Sequence, residues 1–240
     1  MGAEYEALPP GIEWMFELDL SEEDMIAISE ILRSINRPQS IFFFVSNRNC
    51  MTCGSAARFY KKLIEAFEYA GVKNKITVEI FRWDEEKHRE IFHAYHVDRF
   101  PTIALLNGKI RYVGLPTGEE FGGFLETISR IGTGDYGLAP ETLNALSRLK
   151  KDTKIEILVT PTCPYCPYAA LLSNMFALAS KDYGNGNIVS EVVELYENPD
   201  IAEKYEVMSV PTVAINGKLF QLGVPSEEIL LEGLLQQKTL

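Results

Sequence analysis

The chain has 240 residues, 46% hydrophobic content and a formal net charge of −11, enough for one large domain or two of ordinary size. The acidity argues against nucleic acid or an anionic membrane as partner, and no apolar run reaches the ~18 residues that a membrane helix needs. The start carries Glu4, Glu6 and Glu13 and no Lys or Arg up to Glu17, unlike a secretory leader, so a cytoplasmic location is expected.

In chain order, residues 12–20 read as a short strand. Ser21, followed by Glu22, Glu23 and Asp24, reads as a helix cap with acids in the first turn, and that helix should run to about Ile35, before Arg37-Pro38. The run from Ile41 to Val45 is a strand that enters Cys50-Met51-Thr52-Cys53. Tyr60, Leu63, Ile64 and Phe67 then follow at helical spacing. Gly71 and Asn74 mark a turn, residues 76–81 alternate as a strand, and residues 85–95 read as a helix. Residues 102–106 and 110–113 flank Asn107-Gly108 as a hairpin with a two-residue turn, and a helix spans 118–131. The glycine-rich stretch from Gly132 to Gly137 is the expected boundary between units 1–132 and 133–240.

The second half repeats this order. Residues 141–150 are helical and 154–159 form a strand that enters Cys163-Pro164-Tyr165-Cys166. Leu172, Met175, Phe176 and Ala179 then space a helix to about Ser180. A loop at 184–187 precedes a strand at 188–193 and a short helix at 199–205. Residues 212–215 and 219–222 form a hairpin around Asn216-Gly217, and a helix at 226–235 closes the chain. Cys50 and Cys163 stand 113 residues apart, Pro101 and Pro211 110, and Asn107 and Asn216 109. Two copies of one βαβαββα unit are the simplest account.

All four cysteines fall in the two CxxC motifs. A cysteine where a helix begins meets unpaired N–H groups and the positive end of the helix dipole, which favour the thiolate. A second cysteine three residues on can close a short disulfide, or attack a mixed disulfide held on the first. Pro164 and Pro167 are compatible with a first helical turn, and Pro164 stiffens it in a way that Met51-Thr52 does not. No cysteine is left over for a structural staple.

Strand, CxxC, helix and a later Pro-Thr, twice over, resembles the thioredoxin fold. The duplication, with Cys-Pro-Tyr-Cys in the second copy, resembles the glutaredoxin-like protein disulfide oxidoreductases of thermophilic archaea and bacteria. The resemblance implies an α/β protein of two tandem thioredoxin-fold units, each a central mixed sheet flanked by helices. It implies a dithiol–disulfide oxidoreductase that reduces, forms or isomerises protein disulfides without a bound cofactor or metal. Its substrates are protein disulfides or dithiols, and its electron donor resembles a flavin-dependent thioredoxin reductase. It makes Cys50 and Cys163 nucleophiles and Cys53 and Cys166 resolving thiols. It makes Pro101 and Pro211 cis, with a substrate segment pairing at Phe100 or Val210.

The chain departs from the family in two places. Phe44 and Ile157 stand where thioredoxins carry a buried Asp, which leaves the proton acceptor for the resolving cysteines unassigned, with Glu156 a candidate. Residues 222–226 hold one glycine and no aspartate, which argues against glutathione as the preferred partner. Other readings are a dedicated electron carrier to a peroxidase, a redox-sensing module, or a zinc module. Zinc is disfavoured by the 110 residues from Cys53 to Cys163, far beyond the spacing of a compact ribbon. His88, His93 and His96 read as surface residues, and Trp14 and Trp83 as packing residues.

Overall fold

The structure, a computed structural model, describes residues 11–48, 50–149, 151–184 and 187–236. The first half contains α1 (Glu22–Leu32), β1 (Gln39–Val45), α2 (Cys53–Tyr69), β2 (Ile76–Arg82), α3 (Arg89–Ala94), β3 (Thr102–Leu105), β4 (Ile110–Val113) and α4 (Glu120–Thr133). The second half contains α5 (Pro140–Leu146), β5 (Thr153–Val159), α6 (Cys166–Tyr183), β6 (Ile188–Glu194), α7 (Pro199–Lys204), β7 (Thr212–Ile215), β8 (Lys218–Leu222) and α8 (Glu227–Leu235). Local chemistry sets several ends. Ser21 and Asp24 form a reciprocal capping box at α1, and Gly134, at φ 76°, closes α4. The expected boundary at 132/133 falls inside the last turn of α4.

The strands form one mixed sheet in the order β2-β1-β3-β4-β6-β5-β7-β8. Within each half, the first two strands of the repeat pair parallel and the hairpins antiparallel. The halves are joined by parallel pairing of β4 with β6, Ile110 to Val113 against Ser190 to Val193. Side chains alternate across the sheet. Ile41, Phe43 and Val45, with Ile155, Ile157 and Val159, face one core that continues through both halves under α1, α2, α4, α5, α6 and α8. Phe44 faces α3 on the other side, and Leu158 faces α7. A fully buried Phe or Leu side chain contributes about 1.5–3 kcal/mol of transfer free energy.

The repeat extends to the backbone. His96 and Glu206, 110 residues apart, both hold left-handed φ values, 52° and 50°. The hairpins differ. Pairing of Ile215 with Lys218 leaves the expected two-residue turn at Asn216-Gly217. Pairing of Leu105 with Ile110 leaves four residues, with Leu106, Asn107 and Gly108 all left-handed. The longer loop delivers the Lys109 carbonyl to the Ser190 N–H at 2.8 Å, which extends the bridge to β6.

Three expectations fail near the start. Residues 12–20 are not a strand: Glu13–Phe16 is a 3-10 turn in which only Phe16 is buried. The Met15 carbonyl accepts the Thr117 hydroxyl at 2.7 Å instead of a ladder bond. Trp14 is 65% exposed and is not a packing residue, whereas Trp83 stacks with Phe92 and Phe100 as expected. The helix after Ser21 also ends early, at Leu32. Helix α5 stops at Leu146, short of Lys150, which lies outside the described residues, as do Asn185 and Gly186 of the expected loop.

Each face of the seam between β4 and β6 carries a polar network among its apolar side chains. On one, the Tyr112 hydroxyl accepts from the Asn174 amide at 2.9 Å, and the Ser190 hydroxyl donates to Asn174 Oδ1 at 2.7 Å. On the other, Arg111 pairs with Glu191 at 2.6 Å, and Lys154 bridges Glu191 and Glu156 at 2.7 and 3.0 Å. Gly114 and Gly223 occupy equivalent repeat positions at φ 107° and 80°. A Cβ at Gly114 would lie 2.7 Å from Glu194 Cβ, whereas one at Gly223 would meet nothing within 4 Å. Substitution by Ala should cost about 1–2 kcal/mol at either position from positive φ. At Gly114 a further 1–3 kcal/mol or so should come from overpacking the seam. Denaturant midpoints of the two variants test this, and equal losses would mean that the seam does not close on Gly114.

Candidate active site

β1 and β5 point their last residues at the same edge of the sheet, where both CxxC loops leave. Antiparallel register sets Thr102 beside Phe44 and Thr212 beside Leu158. The peptide bonds Phe100–Pro101 and Val210–Pro211 therefore come to this edge as well, and both are cis. Four strand steps separate β1 from β5, which at about 4.8 Å each puts the two sites on the order of 19 Å apart.

Cys50 is disulfide-bonded to Cys53, and Cys163 to Cys166, with Cα separations of 5.6 and 5.4 Å. The second cysteine of each pair is the first helical residue, and the first stands in the turn before it. At the second site the Cys166 N–H donates to Cys163 Sγ at 3.1 Å. A backbone donor aimed at that sulfur favours its thiolate once the disulfide opens. Cys163 and Cys166 are buried, and Tyr165 and Tyr168 around them are 66% and 65% exposed. Cys50 and Cys53 are half-buried and line a cavity of about 310 Å³ with Phe43, Asn47, Ile80 and Arg82. Phe100 packs on Phe92 and Trp83. Val210 is half-buried and lies two residues after Met208, which is 91% exposed.

Three buried carboxylates lie along the same edge, and no motif or periodicity in the sequence points to them. Glu197 accepts the Thr52 hydroxyl inside the first CxxC motif, and the Leu115 N–H at 2.7 Å. Glu194 accepts the N–H groups of Tyr196 and Glu197 at 2.9 and 2.6 Å. Burial raises both, Glu197 to about 7 and Glu194 well above the usual carboxylate range, the latter also through the charge of Glu197. Glu120 opens α4 between two contacts to the second site. The Glu119 N–H donates to the Pro161 carbonyl at 2.9 Å, and a Cβ at Gly123 would lie 3.1 Å from Pro167 Cβ. Among the described residues the Glu120 carboxyl has no hydrogen-bond partner, and burial raises it to about 8. Glu156 is engaged on the far face by Tyr205 at 2.7 Å and by Lys154. The one available signal is a pair of acids, Glu194 at the last position of strand β6 and Glu197 just after it. Their burial depends on a neighbour, β4, that periodicity does not reveal.

Two CxxC disulfides at helix starts, each beside a cis-proline on one sheet edge, define a thiol–disulfide oxidoreductase. Comparisons agree. The family model described as "Thioredoxin domain" matches residues 153–235. A thioredoxin of Methanocaldococcus jannaschii is 36% identical over 81 residues, 34% of this chain and 91% of that one. A protein disulfide oxidoreductase from Aeropyrum pernix K1 superposes with a TM-score of 0.81 at 40% identity, covering 90% of this chain and 93% of that one. One component of the alkyl hydroperoxide reductase of Xanthomonas campestris pv. phaseoli is 26% identical over 156 residues, 63% of this chain and 26% of that one. The chain belongs to the thioredoxin-fold family and is built of tandem thioredoxin-fold units. No helix among the described residues is long and apolar enough to cross a membrane.

The carboxyl of Glu120 gives a pH signature. Its value rises from 4.5 to about 8 on folding. Across that window the folded protein holds a proton that the unfolded chain has lost, so stability falls as pH rises. Glu194 and Glu197 act with the same sign. Glu120→Gln should flatten part of the fall in urea midpoint between pH 5 and pH 8, and an unchanged slope would contradict the assignment.

Proposed function

We propose that the chain catalyses reduction, formation and isomerisation of disulfides in protein substrates, with units 1–132 and 133–240 each carrying one dithiol site. Cys50 and Cys163 are the nucleophiles. The thiolate attacks a substrate disulfide, forming a mixed disulfide and releasing one substrate thiolate. Cys53 or Cys166 then loses its proton and attacks the nucleophile's sulfur. The second substrate thiol leaves, and the enzyme keeps the disulfide. The reverse steps install a disulfide in a substrate. The reading is carried by the Cys166 N–H aimed at Cys163 Sγ at the start of α6.

A substrate segment pairs in extended form beside Phe100-Pro101 or Val210-Pro211. A reductase of the flavin-dependent thioredoxin-reductase type re-reduces the dithiols, in the cytoplasm. The Cys163 site carries most reductase turnover, supported by Pro164 in its turn and by the exposed rings of Tyr165 and Tyr168 around it. In dithiol-driven insulin reduction, Cys163→Ser should remove most of the activity and Cys50→Ser the smaller part; equal losses would end the claim. A second reading, an electron carrier to a peroxidase, is favoured by the likeness to the hydroperoxide reductase component. It expects fast single-turnover transfer to a peroxidase and negligible insulin reduction.

A further inference from the structure

Thr52 is the residue at which α2 begins, yet its hydroxyl makes no capping bond to that helix. A threonine at this position ordinarily accepts a backbone N–H of the first turn. Here the hydroxyl donates to Glu197, a residue of the second half that is 3% exposed. Glu197 is held at both oxygens, by Thr52 on Oε2 and by the Leu115 N–H on Oε1 at 2.7 Å. The space for it depends on Gly114, where a Cβ would stand 2.9 Å from Glu197 Oε1. The Thr52 carbonyl accepts the Ala56 N–H at 2.8 Å, the first bond of α2. Whatever holds Thr52 therefore holds the turn that contains Cys50 and Cys53.

We propose that Glu197, supplied by the second half of the chain, is a positioning residue for the Cys50–Cys53 pair: it fixes Thr52, and its negative charge opposes the thiolate that reduction creates. The first dithiol site is then incomplete without the second unit. The proposal rests on Cys50 being the thiolate-forming member of its pair. Among the described residues the titratable group that interacts with Glu197 is Glu194, at the end of β6, and the Thr52 that it holds stands between Cys50 and Cys53 in the chain. The strap Gly114-Leu115 brings no charge. Of the cations near the site, Arg82 lines the cavity with Cys50 and Cys53, and Arg99 is engaged by Asn198 at 3.2 Å and by Asp200 at 2.8 and 2.6 Å. Above neutral pH the buried carboxylate and a thiolate on the half-buried Cys50 compete as like charges, so each raises the other.

The test is the alkylation rate of Cys50 against pH in the reduced full-length protein. Mass-resolved peptides report all four cysteines, and the dithiothreitol equilibrium of each pair is read in the same samples. Glu197→Gln removes the charge and keeps the shape. The Cys50 midpoint should move down, with alkylation below the midpoint about three- to tenfold faster, while Cys163 and Cys166 stay as in the wild type. Thr52→Val should shift the equilibrium of the first pair, and Thr52→Ser should restore it. These two variants decide the matter if Glu197→Gln does not fold. An unaltered Cys50 profile, or equal changes at both pairs, overturns the proposal. Failure of the oxidoreductase reading looks different: the wild type would not turn over insulin, although both equilibria could still be measured.

Discussion

Parallel pairing of four residues of β4 with four of β6 is the constraint on which the molecule depends. Each half alone would end in an exposed strand with unpaired N–H and C=O groups, a liability that sheets must cover. Joining two edges turns two sheets into one and lets the apolar face of the first continue into that of the second. The joint is specified on both faces. The charge alternation that puts Arg111 opposite Glu191 also puts Tyr112 among Asn174 and Thr127. A register slip of one residue would exchange these faces and strand a buried guanidinium against apolar side chains.

The same joint breaks the symmetry of the repeat, and chemistry follows. β2 and β6 occupy equivalent places, but β2 is an edge strand and β6 is flanked on both sides. Register pairs Arg82 with Val45, and Glu194 with Val159. Arg82 therefore sits exposed beside a cavity, whereas Glu194 is sealed in the seam. Likewise β4 is buried along its length and β8, its counterpart, is largely exposed. Carboxylates that would be ordinary at an edge become perturbed groups next to thiol chemistry, because the neighbouring unit desolvates them.

What one unit can specify alone is legible in the sequence. Periodicity locates the strands and most helices, and glycine and asparagine locate the turns. The cysteines and prolines mark the reactive edge, since their spacing repeats with little drift. How the copies meet is not legible. Ile110-Arg111-Tyr112-Val113 is more apolar than Lys218-Leu219-Phe220-Gln221, a difference that in retrospect marks a central strand against an edge. Residues 12–20 read wrongly as a strand because their apolar spacing suits one, while among the described residues no strand pairs with them. Glu120, Glu194 and Glu197 escape notice because an acid is a surface residue by default. Only a contact from the other half makes it otherwise.

Rigidity of the joined sheet bears on how the two dithiols work together. Thiol–disulfide exchange requires a sulfur to attack along the bond that it breaks, so the two pairs exchange directly only if they touch. They lie on the order of 19 Å apart across four strand spacings. The strands between them are fixed by the polar networks of the seam. Closing that gap would mean breaking the β4–β6 ladder and exposing the shared core. Any influence of one half on the other site in this arrangement therefore passes through the contacts that the halves share, and not through direct sulfur exchange. Glu197 against Thr52, Glu119 against Pro161 and Arg99 against Asp200 are such contacts.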